Sequence, residues 1–302
     1  MDYSYRQSDI KDIQNNVSIK KKLKYNLNRK TLSQLYITYI RPLLEYASDV
    51  WNGCNVADTE KLEKVQLEAA RTVTGLTVLS SKESLYFETG WEPLIDRRQR
   101  SKLVTMYKIH NELAPKYLLD IMTEQRFDIS RYRTRNSHNY DLFDCRLELC
   151  KKSFIPSVIQ SWNNLSIETR SSASVKSFKD AITQMTNSVP KYFDYGVRYL
   201  NIIQTRIRHN CSALKADLYR VNICDSPCCE CGMNEDAFHY FFICEKYENQ
   251  RREMFASLLN LPILTGLNLQ LLLWGDVYLP TDINEFVFRI VHKYIKDSKR
   301  FS

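Results

Sequence analysis

Glycine and proline are scarce in this 302-residue chain, which contains only 7 glycines and 8 prolines. Both residues interrupt helices and supply tight turns, so their scarcity argues against a fold built from many short turns. No glycine-rich phosphate-binding loop is present either. Long stretches of Leu, Lys, Glu, Gln and Arg remain, and these residues favour helices. The composition therefore predicts a mainly α fold.

The chain also lacks a long apolar run and a secretory signal. A membrane span needs roughly 18 apolar residues, whereas the longest apolar stretches lie near 258–264 and 267–274 and have polar breaks. Residues 1–20 do not have the charged and then apolar order of a signal peptide. The nine cysteines are an odd number, which argues against a disulfide framework. We expect a soluble protein of the nucleus or cytoplasm, without a membrane partner.

The usual patterns of catalytic residues are missing as well. The sequence has no serine nucleophile elbow and no His-Glu-x-x-His pair. Its five histidines lie in helical apolar patterns, in a polar loop, near the cysteines or beside Cys211, where no orienting partner is close in sequence. We therefore expect no catalysis by this chain alone.

Acidic residues are absent between Ile13 and Leu44, although the chain as a whole has a net charge of +8. This stretch overlaps an amphipathic helix that we expect to begin near Thr31, to be kinked or broken at Pro42, and to pair with a second helix at about 58–74. A solvated helix face is the common explanation for such charges, but an acid-free stretch of this length favours contact with nucleic-acid phosphates. Its basic residues are Lys20, Lys21, Lys22, Lys24, Arg29, Lys30 and Arg41.

The most specific motif is a cysteine-rich segment followed by a histidine and a further cysteine. The segment Cys228-Cys229-Glu230-Cys231-Gly232 contains three cysteines, two of which can form a close thiol pair on a turn. His239 and Cys244 follow at ligand spacing. Zinc takes about four such ligands in a tetrahedron. Cys228 or Cys229 could be the first ligand, and buried reduced thiols are the simpler alternative. The spacing favours a structural Zn²⁺ site.

Several further segments are informative when they are taken together. They include Arg29-Lys30-Thr31-Leu32, Ile40-Arg41-Pro42-Leu43-Leu44-Glu45-Tyr46-Ala47, Leu62-Glu63-Lys64-Val65-Gln66-Leu67-Glu68-Ala69-Ala70-Arg71, Glu88-Thr89-Gly90-Trp91-Glu92-Pro93-Leu94 and Gln204-Thr205-Arg206-Ile207-Arg208-His209-Asn210. Together they resemble the thumb, the following connector and the tail of reverse transcriptases from non-LTR (LINE-like) retrotransposons. The resemblance covers most of the chain from about residue 19.

The resemblance implies a non-catalytic role. Polymerases of this family hold two metal ions with palm carboxylates that include an Asp-Asp turn, and no Asp-Asp pair occurs in this sequence. The palm and fingers would lie upstream of residue 1. The resemblance thus implies the C-terminal part of an RNA-directed DNA polymerase, with template RNA and target DNA as partners.

The resemblance also implies particular site residues. The family's first ligand pair reads Cys-x-Cys-Gly, which matches Cys229 and Cys231 and makes the expected zinc ligands Cys229, Cys231, His239 and Cys244. Arg206 and Arg208 lie in a matching segment, and we expect them to contact nucleic acid. We expect at most one of these two arginines to be buried against an acid.

The same reasoning predicts five consecutive parts. They are a thumb-like helical bundle (1–75), a helical connector (76–125), an Arg-rich linker (126–146), a small helical unit (147–189) and a zinc-stabilised helical C-terminal domain (190–302). We expect Trp162 in the core of the small unit, and in the C-terminal domain a helix at about 238–259 and a last helix at about 284–300. A free-standing zinc-stabilised adaptor that binds protein, or a decayed fragment of an element, is the alternative function. In that case the basic faces would simply be solvated.

Overall fold

The computed structural model describes residues 26–122, 138–183, 188–259 and 266–301. These residues are mainly helical and form no β-strand, which confirms the predicted fold class. Within the described ranges, the α-helices are α1 Arg29–Leu35, α2 Arg41–Glu45, α3 Ser48–Trp51, α4 Val56–Thr74, α5 Lys82–Thr89, α6 Leu94–His110, α7 Lys116–Asp120, α8 Glu148–Lys152, α9 Phe154–Asn163, α10 Ile167–Arg170, α11 Val175–Ile182, α12 Arg198–Arg208, α13 Lys215–Arg220, α14 Glu248–Leu259, α15 Leu269–Trp274 and α16 Thr281–Asp297.

The described residues divide into two compact units. Unit 1 comprises 26–40, 65–90, 188–259 and 266–301, and unit 2 comprises 41–64, 91–122 and 138–183. The five parts predicted from the sequence remain a prediction, because this division follows spatial contacts and not the order of the chain. None of the described helices is both long and apolar enough to cross a membrane.

The first helix begins two residues earlier than predicted because Asn28 caps it. The Asn28 side chain accepts a hydrogen bond from the Thr31 amide. The helix continues as a π-helical segment, Tyr36–Ile40, directly before α2, so the chain stays helical through Pro42. Proline has no backbone N–H and so cannot donate a helical hydrogen bond. A π-helical turn before it is one way to accommodate the missing bond within a continuous helix. Tyr36 is buried, and its hydroxyl lies 2.8 Å from Gln66 Oε1 in α4.

Unit 2 has a core centred on Trp162, which is fully buried as predicted. Helices α9 and α11 both pack on α6. The Tyr107 ring of α6 stacks on Phe178 of α11 with 4.5 Å between centroids. The Arg-rich linker lies largely outside the described residues, since 123–137 are not among them.

The core of unit 1 is formed by α12 and α14–α16, together with the aromatic residues of 192–193 and 240–241. Two of its buried polar side chains, His292 and Gln204, are paired with each other. His292 Nε2 of α16 lies 2.9 Å from Gln204 Oε1, and the Gln204 amide donates to the Leu272 carbonyl at 2.8 Å. Burial, helped by the nearby positive charge of Arg208, lowers the pKa of His292 to about 4.

We expect this histidine to make unit 1 sensitive to acid. A folded-state pKa below the unfolded value means that the unfolded chain takes up the proton more readily, so the stabilisation is complete above about pH 6.5 and is lost as the pH falls towards 4. The shift corresponds to about 3 kcal/mol of unfolding free energy. Urea titrations at several pH values measure the loss, and His292→Gln should remove the part of the pH slope between 6.5 and 4. An unchanged slope in that variant would contradict the assignment.

Candidate metal centre

The cysteine pair lies on a tight loop that the backbone closes. The Cys229 amide donates to the Met233 carbonyl at 2.7 Å, and the Gly232 amide donates to the Cys229 carbonyl at 2.9 Å. Cys228 and Asn234 form an isolated antiparallel bridge at the base of the loop. Gly232 has φ +85°, a left-handed conformation that favours glycine. The loop therefore needs glycine at the position after the second thiol.

The other two side chains are His239, which begins a π-helical turn, His239–Ile243, and Cys244, which directly follows it. The Cys244 amide donates to the His239 carbonyl at 2.8 Å, a bond that spans five residues. In a regular α-helix, residues five apart point about 140° away from each other, and the wider π turn reduces that angle. Cys244 then leaves helical geometry, with φ −54° and ψ 120°. The helix predicted at 238–259 is thus wrong as one continuous helix, because it is interrupted where both side chains must face the loop.

The loop and the π turn bring four possible ligand atoms together. The Sγ atoms of Cys229 and Cys244 are 3.7 Å apart, and Cys231 Sγ lies 3.4 Å from His239 Nε2. All four atoms lie within 4.8 Å of one another, so the cluster could hold a metal ion. A tetrahedral ion with bonds of about 2.3 Å to sulfur and about 2.0 Å to nitrogen would separate its ligands by roughly 3.5–3.8 Å. The two measured separations agree with that geometry.

The structure also distinguishes the two adjacent cysteines. Cys229 is buried and belongs to the cluster, whereas Cys228 is only half-buried and lies in the bridge at the base of the loop. Neighbouring residues in an extended segment point to opposite sides. The geometry therefore favours Cys229 as the first ligand.

The cluster is a poor environment for thiolates without a cation. Cys244 is fully buried, and this burial raises the pKa of its thiol to about 11. The neighbouring Cys229 thiol raises that pKa as well. A bound cation reverses this cost, because it stabilises the thiolate directly. His239 is also buried, and its Nδ1 has no hydrogen-bond partner among the described residues. A metal on Nε2 would leave the ring proton on Nδ1.

Ion pairs and hydrogen bonds hold the surrounding backbone. Arg251 Nη1 donates to the Cys244 carbonyl at 2.9 Å, and the guanidinium of Arg300 makes two 2.7 Å contacts with the buried Glu235 carboxylate. The Tyr294 hydroxyl donates to the Tyr240 carbonyl at 2.5 Å. The cluster is therefore joined to α14 and α16 and does not depend on the loop alone.

The basic residues predicted to bind nucleic acid have different environments. Lys20, Lys21, Lys22 and Lys24 lie outside the described residues. Lys30 is exposed at the start of α1, and Arg41 is half-buried in α2. Of these residues, Lys30 is therefore the one that the structure places at the surface.

Arg29 and Arg208 are buried around a single carboxylate, Glu88. Arg29 Nη1 lies 2.7 Å from Glu88 Oε2, and Arg208 Nη1 lies 2.6 Å from Glu88 Oε1, with His209 Nε2 at 2.9 Å from the same oxygen. Arg208 also lies 3.8 Å above the Phe193 ring. We call Glu88, Arg29, Arg208 and His209 the Glu88 cluster. For both arginines the structure supports a structural role in place of the predicted nucleic-acid contact, because their charged groups are used inside unit 1.

Arg206 is different from its neighbour. It is half-buried, and its Nε donates to the Gly75 carbonyl at 2.8 Å. One of the two arginines is thus buried against an acid, in line with the expectation for this helix. Sequence reasoning missed Glu88, because an isolated glutamate in an amphipathic helix has no local signal that it is buried.

Comparison of the chain with protein-family models, with curated proteins and with solved structures finds no match.

Proposed function

We propose that this chain is a non-catalytic nucleic-acid-binding part of a LINE-like reverse transcriptase, stabilised by one structural zinc ion. The observation that carries the zinc assignment is the convergence of Cys229, Cys231, His239 and Cys244 within 4.8 Å. Three sulfurs and one imidazole suit zinc, because thiolate and imidazole are its preferred ligands. With four protein ligands no position remains for a reactive water, so the proposed role of the metal is structural.

The nucleic-acid part of the proposal is supported by charge and by the resemblance stated above. The net charge is +8, and the segment between Ile13 and Leu44 has no acidic residue. Burial of Arg29 and Arg208 removes both from the predicted nucleic-acid contacts. The remaining predicted contacts are Lys20, Lys21, Lys22, Lys24, Lys30, Arg41 and Arg206. Template RNA and target DNA are the proposed partners.

A protein-binding adaptor is the second candidate, and exposed aromatic residues beside the cysteine cluster favour it. Phe238 is 51% exposed and stacks on Phe242 with 5.1 Å between centroids. Nearby Glu245 and Glu248 are exposed or only partly covered, which makes this surface less suited to phosphates. The two candidates differ in salt dependence, because only phosphate binding releases condensed counterions.

The basic segment offers the direct test. Replacing Lys20, Lys21, Lys22 and Lys24 by Glu should weaken RNA and hybrid-duplex binding by several kcal/mol at about 50 mM salt, at roughly 1 kcal/mol or less for each lost phosphate contact. Fluorescence anisotropy over a salt series measures the affinity and its slope. Replacing the four exposed lysines Lys108, Lys116, Lys176 and Lys179 of unit 2 by Glu makes the same change of net charge as a control. Equal losses in both variants would show only a general effect of net charge.

A further inference from the structure

A cavity of about 190 Å³ lies within unit 1 between the C-terminal end of α12, helix α13 and the loop after Gly75. We call it the Arg206 pocket; its walls include Thr77, Leu79, Arg206, Leu218, Val221 and Ile223. Sites for drug-sized molecules are usually about 300–1,000 Å³. The Arg206 pocket therefore has space for one ring system but not for a folded peptide segment.

The pocket owes its shape to the turn that ends α12. The Asn210 amide donates to the Ile207 carbonyl at 3.1 Å, and the Cys211 amide donates to the Arg206 carbonyl at 2.9 Å. Asn210 has φ 51°, and these two bonds make a Schellman motif, in which asparagine is a common alternative to glycine. The helix therefore stops where Arg206 borders the cavity.

Two of the apolar side chains that line the pocket are open to solvent. Leu79 is 53% exposed and Ile223 is 64% exposed. They come from segments far apart in sequence, and both line the same cavity. A flat aromatic ring in the cavity would bury apolar area against these side chains.

One nitrogen of the Arg206 guanidinium makes a hydrogen bond that fixes the side chain, and the other two nitrogens make none among the described residues. Its Nε donates to the Gly75 carbonyl, whereas Nη1 and Nη2 donate to no group in the described part of the chain. Arg220, at the same pocket, is already engaged with the Asn210 carbonyl and lies 3.6 Å from Asp217. A guanidinium that is fixed through Nε presents its other two nitrogens as a fork that suits a phosphate.

We propose that the Arg206 pocket takes one unpaired nucleotide of a single-stranded nucleic acid, with the base in the cavity and the phosphate on Arg206. The proposal rests on the proposed function, which requires that the chain bind nucleic acid at all. An apolar space beside an unused guanidinium matches the two halves of a nucleotide, and base stacking together with phosphate contact is the common mode of single-strand binding. The side chain of Asn210 is exposed beside the cavity and can donate to or accept from a base edge.

The test compares two oligomers of about ten nucleotides, one with pyrimidine bases and one abasic, by fluorescence anisotropy at low salt. The wild-type chain should bind the oligomer with bases about tenfold more tightly. Ala213→Trp, at an exposed position in the wall of the cavity, should remove that preference but keep the affinity for the abasic oligomer. Ala213→Ser, which leaves the cavity open, should keep the preference. Arg206→Gln should weaken the binding of both oligomers and lower the salt slope by about one.

Arg252→Gln is the matched control for charge, because Arg252 is 75% exposed on α14 and does not line the pocket. Thermal midpoints near that of the wild type show that each variant is folded. Equal wild-type affinity for the two oligomers, or a base preference that persists in Ala213→Trp, overturns the pocket assignment while the proposed function stands. No wild-type binding to either oligomer overturns both. Direct binding of a labelled apolar peptide with a terminal carboxylate, when neither oligomer binds, would instead identify a protein-docking pocket.

Discussion

The purified chain is expected to contain about one zinc ion, and Cys231→Ser is expected to lose it. Cys231 Sγ lies 3.4 Å from His239 Nε2 in a cluster of four possible ligand atoms, so its removal opens the coordination sphere. Metal binding at such sites is largely folding free energy, on the order of 10 kcal/mol for small zinc peptides. Elemental analysis measures the stoichiometry, and amide hydrogen exchange before and after chelation measures the order of 225–247, which we expect to be lost.

Cys228→Ser is the matched control, because Cys228 is adjacent to the cluster and is not part of it. This variant should keep its zinc. Loss of zinc from Cys228→Ser together with retention in Cys229→Ser would move the first ligand to Cys228. If the wild-type chain contains no zinc after purification without chelator in reducing buffer, the proposed zinc site is wrong.

The second large effect is expected at Glu88. Its side chain is completely buried and pairs with both Arg29 and Arg208. Glu88→Gln would leave the buried Arg208 guanidinium without its carboxylate partner, and Arg29 with only Asp194 at 3.4 Å. Breaking a buried ion pair from one side costs about 3–5 kcal/mol. Urea titration should show a loss of this size. Glu83→Gln is the control, since Glu83 lies in the same helix α5 and is exposed, and its effect should stay within about 0.5 kcal/mol.

The Glu88 cluster also adds to the acid sensitivity of unit 1. Burial by itself raises the pKa of the Glu88 carboxyl, but Arg208 and Arg29, with His209, outweigh burial and hold the pKa well below its usual range. The unfolded chain therefore binds this proton at a higher pH than the folded chain. The stabilisation is complete above the ordinary glutamate pKa of about 4.3 and is lost as the pH falls further. A loss of less than 1 kcal/mol in Glu88→Gln would mean that the two arginines find other partners and could be free for phosphate.

Local features of the sequence predicted the helices well where one apolar stripe runs without interruption. The helix predicted at about 58–74 is observed as Val56–Thr74, and the terminal helix predicted at about 284–300 is observed as Thr281–Asp297. The apolar residues of 238–259 also have helical spacing. That spacing does not reveal that His239 and Cys244 must face the same loop. The π turn and the extended Cys244 satisfy that requirement.

The residue types and their order thus determined by themselves that the chain is mainly helical. They also place four possible ligands close enough in sequence for one loop and one turn to bring them together, namely Cys229, Cys231, His239 and Cys244. Only the tertiary structure decided the environment of the arginines. Arg29 and Arg208 meet Glu88 from 59 and 120 residues away, and no local pattern encodes a contact over such distances. Arg208 and Arg206 lie two residues apart on one helix, so they point in different directions. Packing of unit 1 covers Arg208, while Arg206 borders a cavity with its two terminal nitrogens unpaired among the described residues.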